Sequence, residues 1–389
     1  MGTQEVIVAA YGRSAVARSG KKGALKSTHP IEYGAEVLKG VLGKLPQLSP
    51  ELIDDLIVGC AKPELAQRQN MAKLIALRAQ LPYSVPAQTV NRFCSSGLQT
   101  IAAAANAIAM GQADVIVAGG VESMTCIPYM GIGDPAFKDL WLDEHEPGAY
   151  ISMGMTAENV ARKFGISRVE MERFALESHQ KAAQAQNSGF LARDIIPVHA
   201  VAEDGTETVF QSDECIRANT TMEGLAQLKP CFLEDGLVTA GTSSPTSDGA
   251  AFVVLMSRQR AWDLNIQPLA RFISFVPAGV DPSYMGLGPI AAIPKVMERS
   301  GLSIPQMDVI ELNEAFAAQA IPCIRELGLP EDRVNPNGGA IALGHPLGAT
   351  GTILTCKALS HLREIGGRYA LVSMCIGGGM GAAGIFEAY

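Results

Sequence analysis

The sequence NRFCSSGLQT, residues 91–100, joins a short β-like run to a long alanine-rich segment of high helix propensity. Cys94 therefore lies at or just before a predicted helix N-terminus. Unpaired backbone N–H groups and the helix dipole favour a thiolate over a thiol at such a position. Ser95, Ser96 and Gly97 are small, so a bulky ligand could approach the sulfur. An unreactive cysteine packed at a strand–helix junction is the alternative that this stretch alone leaves open.

Strand-like and helix-like segments alternate on both sides of this stretch. Residues 6–10 and 55–60 are apolar runs typical of buried strands, and residues 30–45 and 70–79 have the apolar spacing or composition of helices. A further strand is predicted at residues 114–120. This order predicts an α/β protein with a mostly parallel sheet and helices on both of its faces.

The last third of the chain repeats the order of the first third. The strand at 55–60 has a counterpart at 308–313, and the segment that begins at Cys94 has a counterpart that begins at His345. A similar separation in sequence relates both pairs, which indicates duplication of one α/β unit. Any two α/β halves look partly alike, but here both copies place a reactive side chain at the mouth of the equivalent helix.

Residues 123–251 differ in character from the two repeats. They contain a stretch rich in Gly, Pro and acidic residues and an amphipathic helix predicted at 168–188. We interpret this region as a long excursion between two strands of one sheet, and such excursions usually carry function. The predicted domains are an N-terminal half at 1–122 plus 252–268, an inserted loop domain at 123–251 and a C-terminal half at 269–389.

Composition and charge exclude several classes of protein. A hydrophobic fraction of 48% and a net charge of −8 describe a globular protein and argue against a nucleic-acid binder. The eight cysteines are scattered, without a CxxC pair or a histidine at metal spacing, so we expect reduced thiols and no metal site. The N-terminus runs directly into a strand, and no apolar run is long enough for a membrane span. We therefore expect a cytoplasmic protein.

Three further stretches follow predicted strands, as Cys94 does: NEAFA at 313–317, GHPLGATG at 344–351 and CIGGGMG at 375–381. Ligands of open α/β sheets bind at the carboxyl ends of strands. Taken singly, each stretch has a structural explanation as a turn or a helix cap. Together with residues 91–100, in this order and spacing, they resemble the thiolases over essentially the whole chain.

The resemblance implies a thiolase-like fold, in which two duplicated α/β halves form a five-layer α-β-α-β-α arrangement with a loop domain that binds coenzyme A. It implies that Cys94 is the nucleophile that becomes acylated, His345 its activating base and Cys375 a second acid/base. Asn313, through a water, and His345 would form one oxyanion hole. The backbone N–H groups of Cys94 and Gly377 would form the other.

The resemblance also implies how coenzyme A is bound. Arg217 is the candidate for the nucleotide end and Ser244 for the pantetheine, with Met153 and Phe316 also beside the ligand. The alternative is that Arg217 only pairs with Asp213 across one helical turn. Coenzyme A is expected as a substrate, with no permanently bound cofactor. The remaining histidines are expected at the surface or in loops: His29, His145, His179, His199 and His361.

The implied activity is reversible thiolytic cleavage of 3-ketoacyl-CoA to acetyl-CoA and a shortened acyl-CoA. Ser152 stands where biosynthetic acetoacetyl-CoA thiolases usually carry histidine, which favours the degradative 3-ketoacyl-CoA thiolases of fatty acid β-oxidation. Alternatives are a biosynthetic thiolase, a β-ketoacyl synthase-like condensing enzyme and a non-catalytic acyl-CoA carrier. The second cysteine speaks against a synthase, and the presence of all three reactive residues speaks against a carrier. We expect a homodimer or homotetramer, with residues 123–150 as the tetramer contact.

Overall fold

The structure is a computed structural model that describes residues 4–127, 138–202 and 204–389. Its strands are β1 (Val6–Arg13), β2 (Ala17–Arg18), β3 (Asp55–Gly59), β4 (Ala87–Val90), β5 (Val115–Ser123), β6 (Val198–Val201), β7 (Glu207–Phe210), β8 (Ser247–Ser257), β9 (Ala270–Gly279), β10 (Val309–Leu312), β11 (Tyr369–Ile376) and β12 (Met380–Ala388). Its helices are α1 (Pro30–Leu42), α2 (Met71–Arg78), α3 (Ser96–Ala109), α4 (Leu140–His145), α5 (Met153–Phe164), α6 (Arg168–Asn187), α7 (Met222–Ala226), α8 (Arg258–Asp263), α9 (Gly288–Ser300), α10 (Ala317–Leu327), α11 (Ala340–Leu343) and α12 (Leu347–Ile365).

One large sheet contains both copies of the repeat. Its strands follow the order β10-β11-β12-β9-β1-β8-β5-β3-β4, and β2 pairs with β8. The two halves meet where β1 pairs antiparallel with β9. Outward from this pair, the strands on one side follow the order β1, β8, β5, β3, and their counterparts on the other side follow the order β9, β12, β11, β10. The mirrored order confirms the repeat that the sequence indicates.

Three apolar clusters show how the helices cover the sheet. Helices α1 and α2 pack on the outer face of the first half, and α9 and α10 pack on the outer face of the second. Helices α3 and α12 lie between the inner faces of both halves. Because side chains alternate along a strand, Val115 and Val117 of β5 face the outer cluster while Ile116 and Ala118 face the inner one. The layers are those of the expected α-β-α-β-α arrangement.

The expectation of a mostly parallel sheet is wrong. Only β3–β4, β3–β5 and β10–β11 are parallel pairs, and the other pairs of this sheet are antiparallel. Parallel neighbours need a crossover connection. Strand β12 instead follows β11 through the turn at residues 377–379, and β8 returns beside β5 from the long excursion. The glycine-rich turn thus ends one strand and begins the next.

The excursion between β5 and β8 packs mainly on the second half of the molecule. Apolar residues of α5, α6 and α7 form one cluster with α10, α11 and Cys375. A buried ion pair also ties the excursion to β1, since Arg13 Nη1 lies 2.7 Å from Asp213 Oδ1. The excursion is therefore held on both sides of the strand ends where the reactive residues lie.

Candidate active site

Cys94 lies in a 3₁₀ turn, Phe93–Ser95, between β4 and α3. Asn91 Oδ1 accepts the N–H of Phe93 at 2.8 Å, and the hydroxyl of Ser96 donates to the carbonyl of Phe93 at 2.7 Å. Phe93 is held at a φ of 42°, in the left-handed region that side chains rarely adopt. These contacts fix a turn that presents the partly exposed Cys94 at the mouth of α3, as the sequence predicts.

Cys375 and Gly377 approach Cys94 from the end of β11. Cys375 is fully buried at the end of this strand. The backbone N–H of Gly377, the next residue but one, lies close enough to the Cys94 thiol to lower the pKa of that thiol. A side chain at Gly379 would lie 2.4 Å from the carbonyl oxygen of Val280, so only glycine allows the tight turn that follows. The β11–β12 hairpin therefore brings a second thiol and an N–H donor to the mouth of α3.

His345, which lies just before α12, forms a hydrogen-bonded pair with Asn313, which follows β10. Asn313 Nδ2 lies 3.3 Å from His345 Nε2, and His345 Nδ1 lies 2.6 Å from the hydroxyl of Thr350. That hydroxyl donates its proton to the carbonyl of Pro346 at 3.0 Å, so it accepts from Nδ1–H of the imidazole. Nε2 is therefore the unprotonated nitrogen. The α12 N-terminus itself packs on the turn that contains Cys94.

Met153 and Phe316 line the same region with apolar surface. A side chain at Gly377 would lie 3.4 Å from Met153 Sδ, so Met153 borders the turn beside Cys94. Phe316 packs edge to face on Phe232, with ring centroids 6.1 Å apart. Both phenyl rings and Met153 thus form an apolar wall near Cys94 and Cys375.

Ser244 lies beside the segment that contains Asn313 and Phe316. Its backbone N–H and its hydroxyl both donate to the carbonyl of Ala315, each at 3.0 Å. The neighbouring Ser243 forms an isolated β-bridge with Phe316. The hydroxyl uses its proton in this contact, and its oxygen lone pairs can still accept a hydrogen bond from a ligand.

Arg217 is exposed and lines a cavity of about 480 Å³ together with Ile216, Ala218, Asn219, Thr220, Thr221, Gly224, Leu225 and Leu228. The alternative pairing of Arg217 with Asp213 is wrong, because the Asp213 carboxylate is bound by Arg13 at 2.7 and 2.9 Å. His179 is also not a surface residue, since it is buried on α6 and accepts the N–H of Arg217 at 3.2 Å. The Arg217 guanidinium is left facing the cavity.

Sequence comparison agrees with this geometry. The family model for the thiolase N-terminal domain matches residues 6–259, and that for the thiolase C-terminal domain matches residues 266–388. The chain belongs to the thiolase family. It is 48% identical to a 3-ketoacyl-CoA thiolase of Bacillus subtilis, with 99% of each chain covered. It is 43% identical to the β-ketothiolase BktB of Cupriavidus necator, again with 99% of each covered.

Solved thiolase structures share the whole fold. The acetyl-CoA acetyltransferase of Bacillus anthracis superposes with a TM-score of 0.91 at 38% identity, covering 100% of both chains. Human mitochondrial 3-ketoacyl-CoA thiolase gives a TM-score of 0.90 at 37% identity, covering 99% of both. Family membership makes this chain an acyltransferase of the thiolase type.

The electrostatics of the thiolase site correct one expectation. Burial raises the pKa of Cys94 to about 11, against the opposing effect of the N–H groups of Gly377 and of Cys94 itself, and the Glu122 carboxylate raises it further. Burial thus opposes the thiolate that the helix N-terminus favours at Cys94. Burial also lowers the pKa of His345 to about 4. The pKa of Cys375 is well above its usual value because of burial and the nearby Cys94 and Cys323 thiols.

Burial thus favours the uncharged forms of Cys94, Cys375 and His345. A neutral imidazole with an unprotonated Nε2 can accept a proton, and two thiols can give one. Sequence reasoning found all of these residues but missed Phe232, which lies in an irregular stretch without periodicity. It also missed Glu122, which is fully buried and touches this thiolase site from β5.

Three further expectations concern a metal site, a membrane-spanning helix and the tetramer contact. Within residues 4–127, 138–202 and 204–389, no group of histidine, cysteine or acidic side chains could hold a metal ion. None of the helices described there is long and apolar enough to cross a membrane. The tetramer contact expected at residues 123–150 falls in part on residues 128–137, which lie outside the described residues.

Proposed function

We propose that this thiolase cleaves 3-ketoacyl-CoA with coenzyme A, giving acetyl-CoA and a shortened acyl-CoA through an acyl-Cys94 intermediate. The observation that supports the proposal is the meeting of the Cys94 turn with the end of β11 and the N-terminus of α12, which places the backbone N–H of Gly377 beside the Cys94 thiol. A carbonyl attacked by this sulfur develops its negative charge beside that donor, where a preorganised N–H stabilises it most. The Asn313–His345 pair supplies the second set of polar groups.

In the first step, His345 takes the Cys94 proton on Nε2 while the sulfur attacks the ketone carbon. Thr350 keeps the other imidazole nitrogen protonated, so Nε2 is available as the base. The N–H groups of Cys94 and Gly377 donate to the oxyanion that forms. Proton transfer and attack are coupled because neither a free thiolate nor an imidazolium is stable in this buried site.

In the second step, the bond between C2 and C3 breaks, leaving acyl-Cys94 and the enolate of acetyl-CoA. The enolate oxygen accepts from His345 Nε2–H and, through a water, from Asn313. Cys375 then gives its thiol proton to the enolate carbon. The raised pKa of Cys375 supports this role, since it keeps the thiol protonated until a strong base forms beside it.

In the third step, coenzyme A replaces acetyl-CoA. Its thiol gives a proton to the Cys375 thiolate, and its sulfur attacks the acyl-Cys94 thioester. Cys94 leaves and recovers its proton from His345. Every group then has its starting protonation state, and the steps run equally in reverse as a condensation.

For the binding of coenzyme A we propose Arg217 at the nucleotide end and Ser244 at the pantetheine. The cavity beside Arg217 supports this, because Leu225 and Leu228 in its wall belong to the same apolar cluster as Phe316 and Cys375. The wall of the cavity beside the cation therefore packs on the same apolar cluster as the residues beside Cys375. An exposed guanidinium at one end suits a ligand with phosphates at one end and a thioester at the other.

A degradative role is supported by Ser152 and by the relatives named 3-ketoacyl-CoA thiolase. Ser152 is the N-cap of α5, where its hydroxyl accepts the N–H of Met155 at 3.4 Å. A small capping side chain leaves more room beside Met153 than the histidine of biosynthetic thiolases. We infer that longer acyl chains fit.

We also propose that the chain forms at least a homodimer through β4. This strand lies at one edge of the large sheet. Large apolar side chains are exposed around it, at Leu65, Leu77, Tyr83 and Phe93. An unpaired edge beside apolar surface is typical of a strand that pairs with a second chain.

The decisive experiment is thiolysis of 3-ketoacyl-CoAs of increasing length, followed by loss of the Mg²⁺–enolate absorbance. A kcat/KM that is higher for longer substrates than for acetoacetyl-CoA supports the degradative proposal. Activity confined to acetoacetyl-CoA indicates the biosynthetic alternative. If the protein binds these thioesters but turns over none of them, the result indicates a non-catalytic acyl-CoA carrier.

A further inference from the structure

Glu122, near the end of β5, is a fully buried carboxylate at the junction of the two halves. Its Oε2 accepts the N–H of Ala61 and the N–H of Gly348, both at 2.8 Å. Its Oε1 accepts hydrogen bonds from Nε2 of Gln67 at 2.8 Å and from the Cys60 thiol at 3.7 Å. All these donors are uncharged, so the carboxylate is held by oriented dipoles.

One branch of these contacts leads to the nucleophile. The carbonyl of Ala61 accepts Nδ2 of Asn91 at 3.0 Å. Asn91 Oδ1 in turn accepts the N–H of Phe93, which begins the turn with Cys94. Glu122 is therefore three hydrogen-bonded contacts away from the backbone of the Cys94 turn.

The other branch leads to the base. Gly348 belongs to the first turn of α12. The N-cap residue of this helix, Pro346, has no side chain that could accept a hydrogen bond from the N–H groups of that turn. The same first turn contains Thr350, whose hydroxyl holds His345 Nδ1. Space at this contact is minimal, since a side chain at Gly348 would lie 2.8 Å from Glu122 Oε2.

We propose that Glu122 is a positioning residue that fixes the Cys94 turn and the His345 turn relative to each other through the two N–H groups on Oε2. This inference rests on the proposed function for its kinetic consequence. Reactive groups lose about 10²-fold in rate when misplaced by about 1 Å. A single rigid oxygen shared by both segments is suited to prevent such a shift.

The charge of Glu122 also acts on the site. The carboxylate raises the pKa of Cys94, although burial is the larger cause. Cys60 after β3, Tyr33 from α1 and Cys375 from β11 lie near this region, and burial raises the pKa of each. Asp248 on β8 lies near Tyr33, and burial raises its pKa to about 6. Burial also raises the pKa of Glu122, while hydrogen bonds from Gln67, Ala61 and Gly348 favour its charged form. Removing the Glu122 carboxylate should therefore alter the reactivity of Cys94.

Two substitutions separate the effect of the length of the Glu122 side chain from the effect of its charge. Glu122→Asp keeps the charge but draws the carboxylate back by about 1.5 Å, so it cannot accept from both Ala61 and Gly348. Glu122→Gln keeps the reach but loses the charge and sets its amide against Nε2 of Gln67. The matched control is Glu158→Gln, since Glu158 is also fully buried and accepts backbone N–H groups of Leu237 and Val238.

The test measures thiolysis and the pH dependence of Cys94 alkylation by iodoacetamide, with the modified peptide mapped by mass spectrometry. We expect Glu122→Asp to lower kcat about 100-fold with little change in KM. At any pH below the Cys94 pKa, Glu122→Gln should alkylate about three- to tenfold faster than wild type, and Glu158→Gln should not.

The proposal is overturned if Glu122→Asp retains the wild-type kcat, or if Glu158→Gln accelerates alkylation as much as Glu122→Gln. If Glu122→Asp does not fold, Glu122→Ala, which removes both accepting oxygens, replaces it, and an unchanged kcat of that variant overturns the proposal equally. An unchanged alkylation profile of Glu122→Gln overturns the influence of the Glu122 charge on Cys94. Alkylation requires no substrate. A wild-type protein without thiolysis therefore refutes the proposed function, while the alkylation profiles still decide the influence of Glu122.

Discussion

The two halves of the sheet use equivalent strand–helix junctions in opposite ways. At the end of β11, the backbone N–H of Gly377 lies beside Cys94 at the mouth of α3 and lowers the pKa of its thiol. At the end of β5, Glu122 instead accepts the N–H of Gly348 at the mouth of α12. One junction keeps a free N–H donor for a negative charge that forms during reaction. The other has its negative charge built in.

This difference explains how a duplicated scaffold can give two unlike groups. The N–H groups at the mouth of α12 are already satisfied, so they offer no second site for an oxyanion. The imidazole of His345 beside them is held as a neutral base by burial and by Thr350. In the proposed mechanism, the α3 junction then supplies the nucleophilic thiol and the N–H groups that stabilise the oxyanion. The α12 junction supplies the base.

The largest expected effect comes from removing either thiol at the first junction. Cys94→Ala and Cys375→Ala should each lower thiolysis by at least about 10²–10⁴-fold. Only Cys375→Ala should still accept an acyl group from acyl-CoA, visible as added mass on the intact protein. It should scarcely exchange the α-protons of acetyl-CoA with deuterium. Equal loss of acylation in both variants would contradict separate roles for the two thiols.

Alkylation of the wild-type protein tests whether the first junction is uncharged at rest. With the pKa of Cys94 at about 11 and that of His345 at about 4, both are neutral between these values. The rate constant for Cys94 should then rise about tenfold per pH unit from neutral pH to about pH 10. The exposed Cys231 should be labelled before Cys94 at neutral pH. A plateau in the Cys94 rate near neutral pH would instead indicate a preformed thiolate–imidazolium pair.

Matched glycine substitutions compare how tightly the two junctions are packed. A side chain at Gly348 would lie 2.8 Å from the Cα of Cys60 and from Glu122 Oε2, whereas one at Gly377 would meet only Met153 Sδ at 3.4 Å. Gly348→Ala should therefore lower the free energy of unfolding by about 1–3 kcal/mol. Gly377→Ala should change it little. Chemical denaturation of both variants measures this, and similar losses would mean that the junctions are packed alike.

The smallest expected effect comes from a change away from both junctions. Arg217→Ala should raise the KM for coenzyme A about tenfold, equivalent to about 1.4 kcal/mol of binding, and leave kcat nearly intact. If Arg217 meets the 3′-phosphate, the variant should use dephospho-CoA about as well as coenzyme A. A variant that still discriminates between the two as wild type does would place the 3′-phosphate elsewhere.

Much of the site could be predicted from sequence because its residues stand in glycine-rich turns with fixed spacing. Cys94, Asn313 and Gly377 follow strands whose apolar runs are visible in the sequence, and the structure brings these turns to one region with His345. The expectation that residues 344–351 also follow a strand is wrong, because the short helix α11 precedes them. The repeat was equally visible, since it preserves the order of strands and reactive residues. Local pattern thus carries the topology and the position of the chemistry.

What could not be predicted depends on the assembled interior. Strand direction was misjudged because CIGGGMG reads as a ligand loop, while it is also the hairpin that joins β11 to β12. The pKa of Cys94 follows from burial by segments far apart in sequence, which overrides the nearby helix N-terminus. Glu122 carries no motif, and His179 is buried only because the Arg217 segment packs on α6.

The position of β1 in the sheet has a consequence for how the protein is made. Both neighbours of this strand, β8 and β9, come from the second half of the chain, with Val6 opposite Ser257 and Ile7 opposite Arg271. Synthesis of the roughly 250 intervening residues takes about 12–50 s at ribosomal rates. Throughout that time β1, which is buried along its whole length in the finished protein, has neither of its hydrogen-bonding partners. The nascent chain therefore carries an unpaired apolar strand until β8 emerges, and exposed apolar strands of this kind are prone to aggregate.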